Sequence, residues 1–136
     1  MGTCVTLKVI LDSNFLFVPA KFQIDIFEEL PKLLNRRVEP VLLSSIYQEL
    51  QTMAEKGAPS RRKQASLALK LAEKCRRIYV ERNGEESNDD VILRIAVIWK
   101  SLVATNDREL RKKLRARDIP VIYLRSKNRL ELEGAL

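Results

Sequence analysis

The sequence predicts an α/β fold, a three-layer α/β/α sandwich built on a mostly parallel sheet of about five strands. Short apolar segments rich in β-branched residues alternate with segments of helical period in the order βαβααβαβαβ, and such alternation requires crossovers and hence parallel strands covered by helices on both faces. No Ser/Gly linker or internal repeat interrupts the pattern, and the four glycines fall near the ends or in expected loops. A chain of 136 residues with 46% hydrophobic and 32% charged residues has enough apolar material for one core, so residues 1–136 are read as a single domain, with about 126–136 as a C-terminal tail.

Thr6 to Leu11 reads as the first strand, stopped by the turn-forming Asp12-Ser13-Asn14. Phe22 to Leu34 has apolar residues at helical spacing, with Pro31 expected to bend or restart the helix. Pro40 to Leu43 is a short strand. Ser45, three residues before Gln48, has the form of a capping box for a helix reaching about Lys56. Gly57-Ala58-Pro59-Ser60 breaks the chain before a helix over Arg61 to Cys75, and Arg77 to Val80 is strand-like. Ser87 caps a helix from Asn88 to about Lys100. Leu102 to Thr105 is a strand, Arg108 to Arg117 a helix and Pro120 to Leu124 the last strand.

Composition removes several chemistries. There is no histidine, which excludes Ser-His-Asp and Cys-His nucleophiles, HExxH zinc proteases and histidine-bearing zinc fingers. The two cysteines, Cys4 and Cys75, are too few for a thiolate metal cage and read as buried, reduced thiols of a cytoplasmic protein, with a single disulfide as the alternative. No apolar run approaches the roughly 20 residues of a membrane helix, and the N-terminus lacks the basic region of a signal peptide. The net charge of +7 is concentrated: between Arg108 and Arg129 there are nine basic residues and two acidic ones, and the rest of the chain balances.

In parallel α/β folds ligands collect beyond the carboxyl ends of the strands, which directs attention to the acids there. Asp12 follows the first strand, Asp107 follows the Leu102 to Thr105 strand, Asp89 and Asp90 open the helix after a third strand, and Glu49 lies on the helix leaving the second. Each alone has a local explanation as a turn, a cap or a solvated side chain. Together they are harder to dismiss, because carboxylates brought to one edge repel one another unless a cation sits among them. Hard cations take oxygen ligands, and Mg²⁺ uses one or two carboxylates with waters and substrate phosphates; a centre of that kind activates water and holds a scissile phosphate without histidine. The adjoining basic segment matches a phosphate polymer.

At these residues the sequence resembles the PIN-domain nuclease family over nearly its whole length. Leu11-Asp12-Ser13-Asn14-Phe15-Leu16 is similar to the family's opening motif, Ser45-Ile46-Tyr47-Gln48-Glu49-Leu50 to its second acidic motif, Asn88-Asp89-Asp90-Val91-Ile92-Leu93 to its third, and Thr105-Asn106-Asp107 to the motif that closes the site. The resemblance implies a ribonuclease dependent on Mg²⁺ or Mn²⁺. Asp12, Glu49, Asp89 and Asp107 would be its catalytic acids, with Asp12, Asp89 and Asp107 facing the metal and Asp90 a further candidate ligand beside its capping role. Asn14 would orient Asp12 and Thr105 would orient Asp107. Arg108, Arg111, Lys112, Lys113 and Arg115 would bind RNA, either single-stranded or a ribosomal precursor.

The Asp89-Asp90 doublet and the Arg108 to Lys113 tract are closer to the ribosomal-RNA-processing branch and its archaeal relatives than to the toxins of toxin–antitoxin pairs, although toxins carry the same acids. By the same resemblance a homodimer is expected, with an antitoxin or a ribosome-assembly factor as further partner and no membrane. The rival readings are fewer. A haloacid-dehalogenase-type phosphatase needs a second Asp where Asn14 stands, and phosphate-loop motifs are absent. A catalytically weak RNA-binding or scaffold domain on the same fold is the alternative from another class.

Overall fold

Strand β1 (Thr6–Leu11) passes from an exposed start to a fully buried end at Val9, Ile10 and Leu11, as a strand must that has neighbours on both sides and helices over both faces. It lies inside a six-stranded sheet ordered β3-β2-β1-β4-β5-β6 in the computed structural model, which describes residues 6–136. Cys4 lies outside the described residues. β2 (Arg37–Leu43) and β4 (Leu102–Ala104) flank β1 in parallel, β3 (Arg76–Ile78) lies outside β2, β5 (Val121–Ser126) lies outside β4, and β6 (Arg129–Glu133) closes the sheet antiparallel to β5.

The connectivity fixes where a ligand can sit. The chain first steps from β1 to β2 and β3 on one side, then returns to β4 and β5 on the other. Right-handed crossovers in opposite directions put helices on opposite faces. They also leave a crevice between the carboxyl ends of β1 and β4, where the strand order reverses.

Between the strands come a 3₁₀ turn (Ser13–Phe17) and the helices α1 (Val18–Phe22), α2 (Ile26–Leu34), α3 (Ser44–Lys56), α4 (Pro59–Ala72), α5 (Asn88–Trp99) and α6 (Arg108–Ala116). Their inward positions, among them Phe15, Leu30, Ile46, Leu50, Ile92 and Leu110, are fully buried with Ile10, Leu42 and Leu43 of the sheet. α6 has only Leu110 and Leu114 to bury, one residue per turn, so the rest of its surface is free to be charged. No helix among the described residues is long and apolar enough to cross a membrane.

Several expectations change in detail. The helix expected over Phe22 to Leu34 starts later, at Ile26: Phe22 is the last residue of α1, which Gln23 ends in the left-handed conformation, and the Asp25 carboxylate caps α2 by accepting from the Phe27 and Glu28 amides. α2 runs through Pro31 to Leu34, its stripe of Ile26, Leu30 and Leu34 buried. Ser45 forms no capping box, since α3 already begins at Ser44 and the buried Ser45 hydroxyl has no hydrogen-bond partner among the described residues. Ser44 acts instead across the fold, its hydroxyl donating to the Val80 carbonyl and accepting from the Val80 amide.

β2 begins three residues before the expected Pro40. The proline is tolerated because β3 pairs with β2 only from Val41 onward, leaving Pro40 at an open edge on that side. The expected C-terminal tail carries β6, where Leu130 and Leu132 alternate with Glu131 and Glu133 at the period of a strand. The thiol of half-buried Cys75 is pushed up to about 12 by burial, the condition of an unreactive structural cysteine.

Candidate active site

The carboxyl ends of β1 and β4 meet at Asp12, a residue only 4% exposed. Its backbone is fixed first, the Asp12 amide donating to the Ala104 carbonyl of β4 at 3.0 Å. The carboxylate is then held at both oxygens. Oδ1 accepts from the Ser13 amide at 2.8 Å, and Oδ2 accepts from the Thr105 hydroxyl at 2.7 Å and from Asn14 Nδ2 at 3.1 Å. Asp12 thus begins the 3₁₀ turn as a cap and also joins the two central strands.

Thr105 serves both acids of the crevice, differently from the sequence expectation for Asp107 alone. While its hydroxyl donates to Asp12, it accepts from the Asp107 amide at 3.1 Å, so it fixes the Asp12 carboxylate and the Asp107 backbone. The Asp107 carboxylate caps α6, one oxygen accepting from the Glu109 and Leu110 amides at 2.8 and 3.2 Å. Its other oxygen takes no part in the cap.

Asn14 orients Asp12, as the sequence suggests, and is itself held by a residue given no role there. The Asn106 amide donates to Asn14 Oδ1 at 3.0 Å, and Asn106 Oδ1 accepts from the Leu124 amide of β5 at 2.8 Å. The sequence signal for Asn106 was its place between Thr105 and Asp107, where an Asn side chain readily bonds to backbone.

Asp89 stands in the first turn of α5 and Glu49 on α3. Their charges act on Asp12, and Asp89 in turn feels Asp107 and Glu49. Burial, reinforced by those two neighbours, pushes the Asp12 carboxyl up to about 6 against its hydrogen bonds from Thr105 and Ser13. Asp89 is likewise raised by burial and then by the Asp107 charge, with Lys113 working the other way. Asp90 is different: its carboxylate accepts from the Ser87 amide while the Ser87 hydroxyl accepts from the Asp90 amide, at 3.1 and 3.2 Å. Those bonds hold it below the usual carboxylate range, and it lines an outer groove of α5 with Leu93 and Arg94.

A hard divalent cation suits this donor set. All the donors are carboxylate oxygens, and two of the acids are raised by the burial of negative charge that a cation relieves. Among the described residues no group of three acidic or thiol side chains already stands ready to hold an ion.

The basic helix divides into two kinds of residue. Arg111 stacks over the Tyr123 ring at 3.9 Å and pairs with Glu133 at 3.5 Å, and Arg115 donates to the Ile119 carbonyl at 3.2 Å. Arg111 is thereby tied to β5 and β6, and Arg115 to the loop that leads from α6 into β5. Arg108, Lys112 and Lys113 are exposed and make no ion pair among the described residues. Arg108 and Lys112 border an outer groove with Arg111 and Arg115, whereas the charge of Lys113 is felt at Asp89 and Asp90.

Comparison with known proteins places the chain in a family. The chain is 29% identical over 127 residues, 93% of its length and 97% of the relative's, to Ribonuclease VapC4 of Methanocaldococcus jannaschii. It superposes on the PIN domain endonuclease Utp24 with a TM-score of 0.79 and 27% identity, covering 95% of this chain and 92% of that one. Against the VapBC2 complex of Rickettsia felis, solved on a DNA fragment from its promoter, the TM-score is 0.63 at 14% identity, over 86% and 98% of the two chains, a likeness of fold. A family model described as a PIN like domain matches residues 9–127, taking in all four acids and the basic helix, and this chain therefore belongs to the PIN-domain family.

Proposed function

We propose that this chain is a ribonuclease that hydrolyses RNA phosphodiester bonds with Mg²⁺ or Mn²⁺ held by Asp12, Asp89 and Asp107, with Glu49 completing the acidic cluster. The observation that carries the reading is the Asp12-Thr105-Asn14 network at the β1/β4 crevice, with the charges of Asp89 and Glu49 converging on it. The cation supplies activation of water and a grip on the scissile phosphate. The chain's own residues do the rest. Thr105 and Asn14 fix the Asp12 carboxylate, Asn106 fixes Asn14, and the cap on α6 holds one Asp107 oxygen so that the other is left for a ligand. Arg108, Lys112 and Lys113 hold backbone phosphates beside the acids, with Arg111 and Arg115 shaping the groove they border. Asp90 acts as the α5 cap.

The likeness to Ribonuclease VapC4 and to the PIN domain endonuclease Utp24 supports RNA as substrate and internal cleavage. Purified chain with a labelled single-stranded RNA should release 5′-phosphate ends in Mg²⁺ or Mn²⁺ and none in EDTA. The Asp12→Asn, Asp107→Asn double variant should be inactive. Cleavage by the native chain no faster than by that variant overturns the reading.

A second reading, a VapC-like toxin with an antitoxin partner, is favoured by the VapC4 likeness at 97% coverage of that relative. Expression in a host cell separates the two. A toxin arrests growth unless Asp12 is substituted, while a processing nuclease does not. For a homodimer the resemblance is the support, and the mass of the purified chain in solution decides it.

A further inference from the structure

A cleft of about 420 Å³ opens next to Asp12, with Asn14, Glu49 and Asn106 at its acidic end. Its other walls are unlike that end. Phe22 of α1 and Met53 of α3 are partly exposed there over buried Phe17 and Val18, and its rim carries Lys21 and Arg61. Neither cation makes an ion pair or a side-chain hydrogen bond among the described residues.

The placement of Arg61 is built by the α3–α4 turn. A Cβ on Gly57 would lie 2.7 Å from the Met53 carbonyl oxygen and 3.2 Å from the Arg61 Cβ, so only glycine lets the first turn of α4 close onto the last turn of α3. The charge there also runs against the helix. Arg61, Arg62 and Lys63 occupy the start of α4, whose first turn holds no acid and whose N-terminus has no side-chain cap. Cations at the positive end of a helix are unfavourable, and an anion laid across them relieves both charges.

An aromatic face beside two unpaired cations is the chemistry of a single-stranded nucleotide: the base stacks and the phosphate is neutralised. We infer that this cleft is a nucleotide subsite for the RNA strand next to the scissile phosphate, its base against Phe22 and Met53 and its phosphate on Lys21 and Arg61. The inference rests on the proposed ribonuclease reading and adds to it a path. The strand runs from the basic α6 across the acids into the cleft, so it is gripped on both sides of the bond to be cut. An unpaired base is required, because a base in a duplex cannot enter.

The test uses the full chain and a 12-nucleotide single-stranded RNA with one abasic position walked along it. Affinity is read in EDTA by fluorescence anisotropy and cleavage in Mn²⁺. At one position flanking the cut, the abasic RNA should bind the native chain about tenfold more weakly, Phe22→Ala should lose about as much on intact RNA, and the two losses should not add. Lys21→Glu with Arg61→Glu, both on the surface, should flatten the salt dependence of binding by about one to two units of slope even if Phe22→Ala folds poorly. Additive losses at every position, or an unchanged slope, overturn the subsite. Absence of cleavage in Mn²⁺ with these binding effects intact counts against the ribonuclease reading instead.

Discussion

Asp12 is kept as a carboxylate in a place that disfavours the charge. Its pKa of about 6 lies above the ordinary value of 3.8, so in the absence of metal the folded chain binds the extra proton between about pH 4 and 6. The stability this contributes is complete below 3.8 and lost as pH rises through 6, an amount of about 3 kcal/mol. Asp12→Asn removes that dependence. Thermal melts in EDTA should show the variant gaining on the native chain by about 2–3 kcal/mol between pH 4 and 7.5, whatever the fixed cost of facing an amide toward Thr105 and Asn14. A constant difference between the two proteins would mean that Asp12 is not the strained charge. Thr105→Val, nearly the same shape, removes one donor to Asp12 and one acceptor for Asp107. We expect it to lower stability by about 1–3 kcal/mol and to slow cleavage more than it weakens RNA binding. At this scale Asp12 and Asp107 were legible in the sequence as acids just beyond the first and fourth strands, where each caps the turn or helix that follows. The bond from Thr105 to Asp12 and that from Leu124 to Asn106 were not, because they join residues about 90 and 18 positions apart and depend on which strands are neighbours.

Among the elements, α6 shows how a single charge run serves two purposes. Lys112→Glu with Lys113→Glu should leave melting nearly unchanged and reduce the salt slope of RNA binding by about one to two units. Arg115→Ala should do the reverse, because Arg115 bonds the Ile119 carbonyl and packs against Gly134. Gly134 has φ +101°, and a Cβ there would collide with the Arg115 guanidinium, so Gly134→Ala should destabilise by about 1–3 kcal/mol. Hydrogen-bonded elements with local signals were readable: the Ser87–Asp90 capping box and the α6 cap at Asp107 stand in the sequence as they stand in the fold. The strands and turns decided by tertiary pairing were not. β6 exists because β5 offers it an edge, and α1 is separate from α2 because Gln23 turns left-handed, neither of which the apolar period records.

For the molecule as a whole, the reversal of strand order between β1 and β4 sets Asp12 beside Thr105, at the carboxyl ends of neighbouring strands. The parallel α/β class followed from the alternation of elements, but the sheet order, and with it the neighbouring of Asp12 and Thr105, is a property of the assembled fold. A cluster assembled against its own repulsion should be stabilised by the ion that relieves it. Ligand at a hundred times its dissociation constant adds about 2.7 kcal/mol, so saturating Mn²⁺ should raise the melting temperature of the native chain by several degrees and that of the Asp12→Asn, Asp107→Asn variant hardly at all. The most direct measurement is Mn²⁺ binding, followed by electron paramagnetic resonance of the free ion, for the native chain and for Asp12→Asn, Asp89→Asn and Asp107→Asn singly. Each substitution should weaken binding about tenfold or more while Asp90→Asn leaves it near native; Mn²⁺ binding that survives all three unchanged would contradict a common metal centre at the β1/β4 crevice.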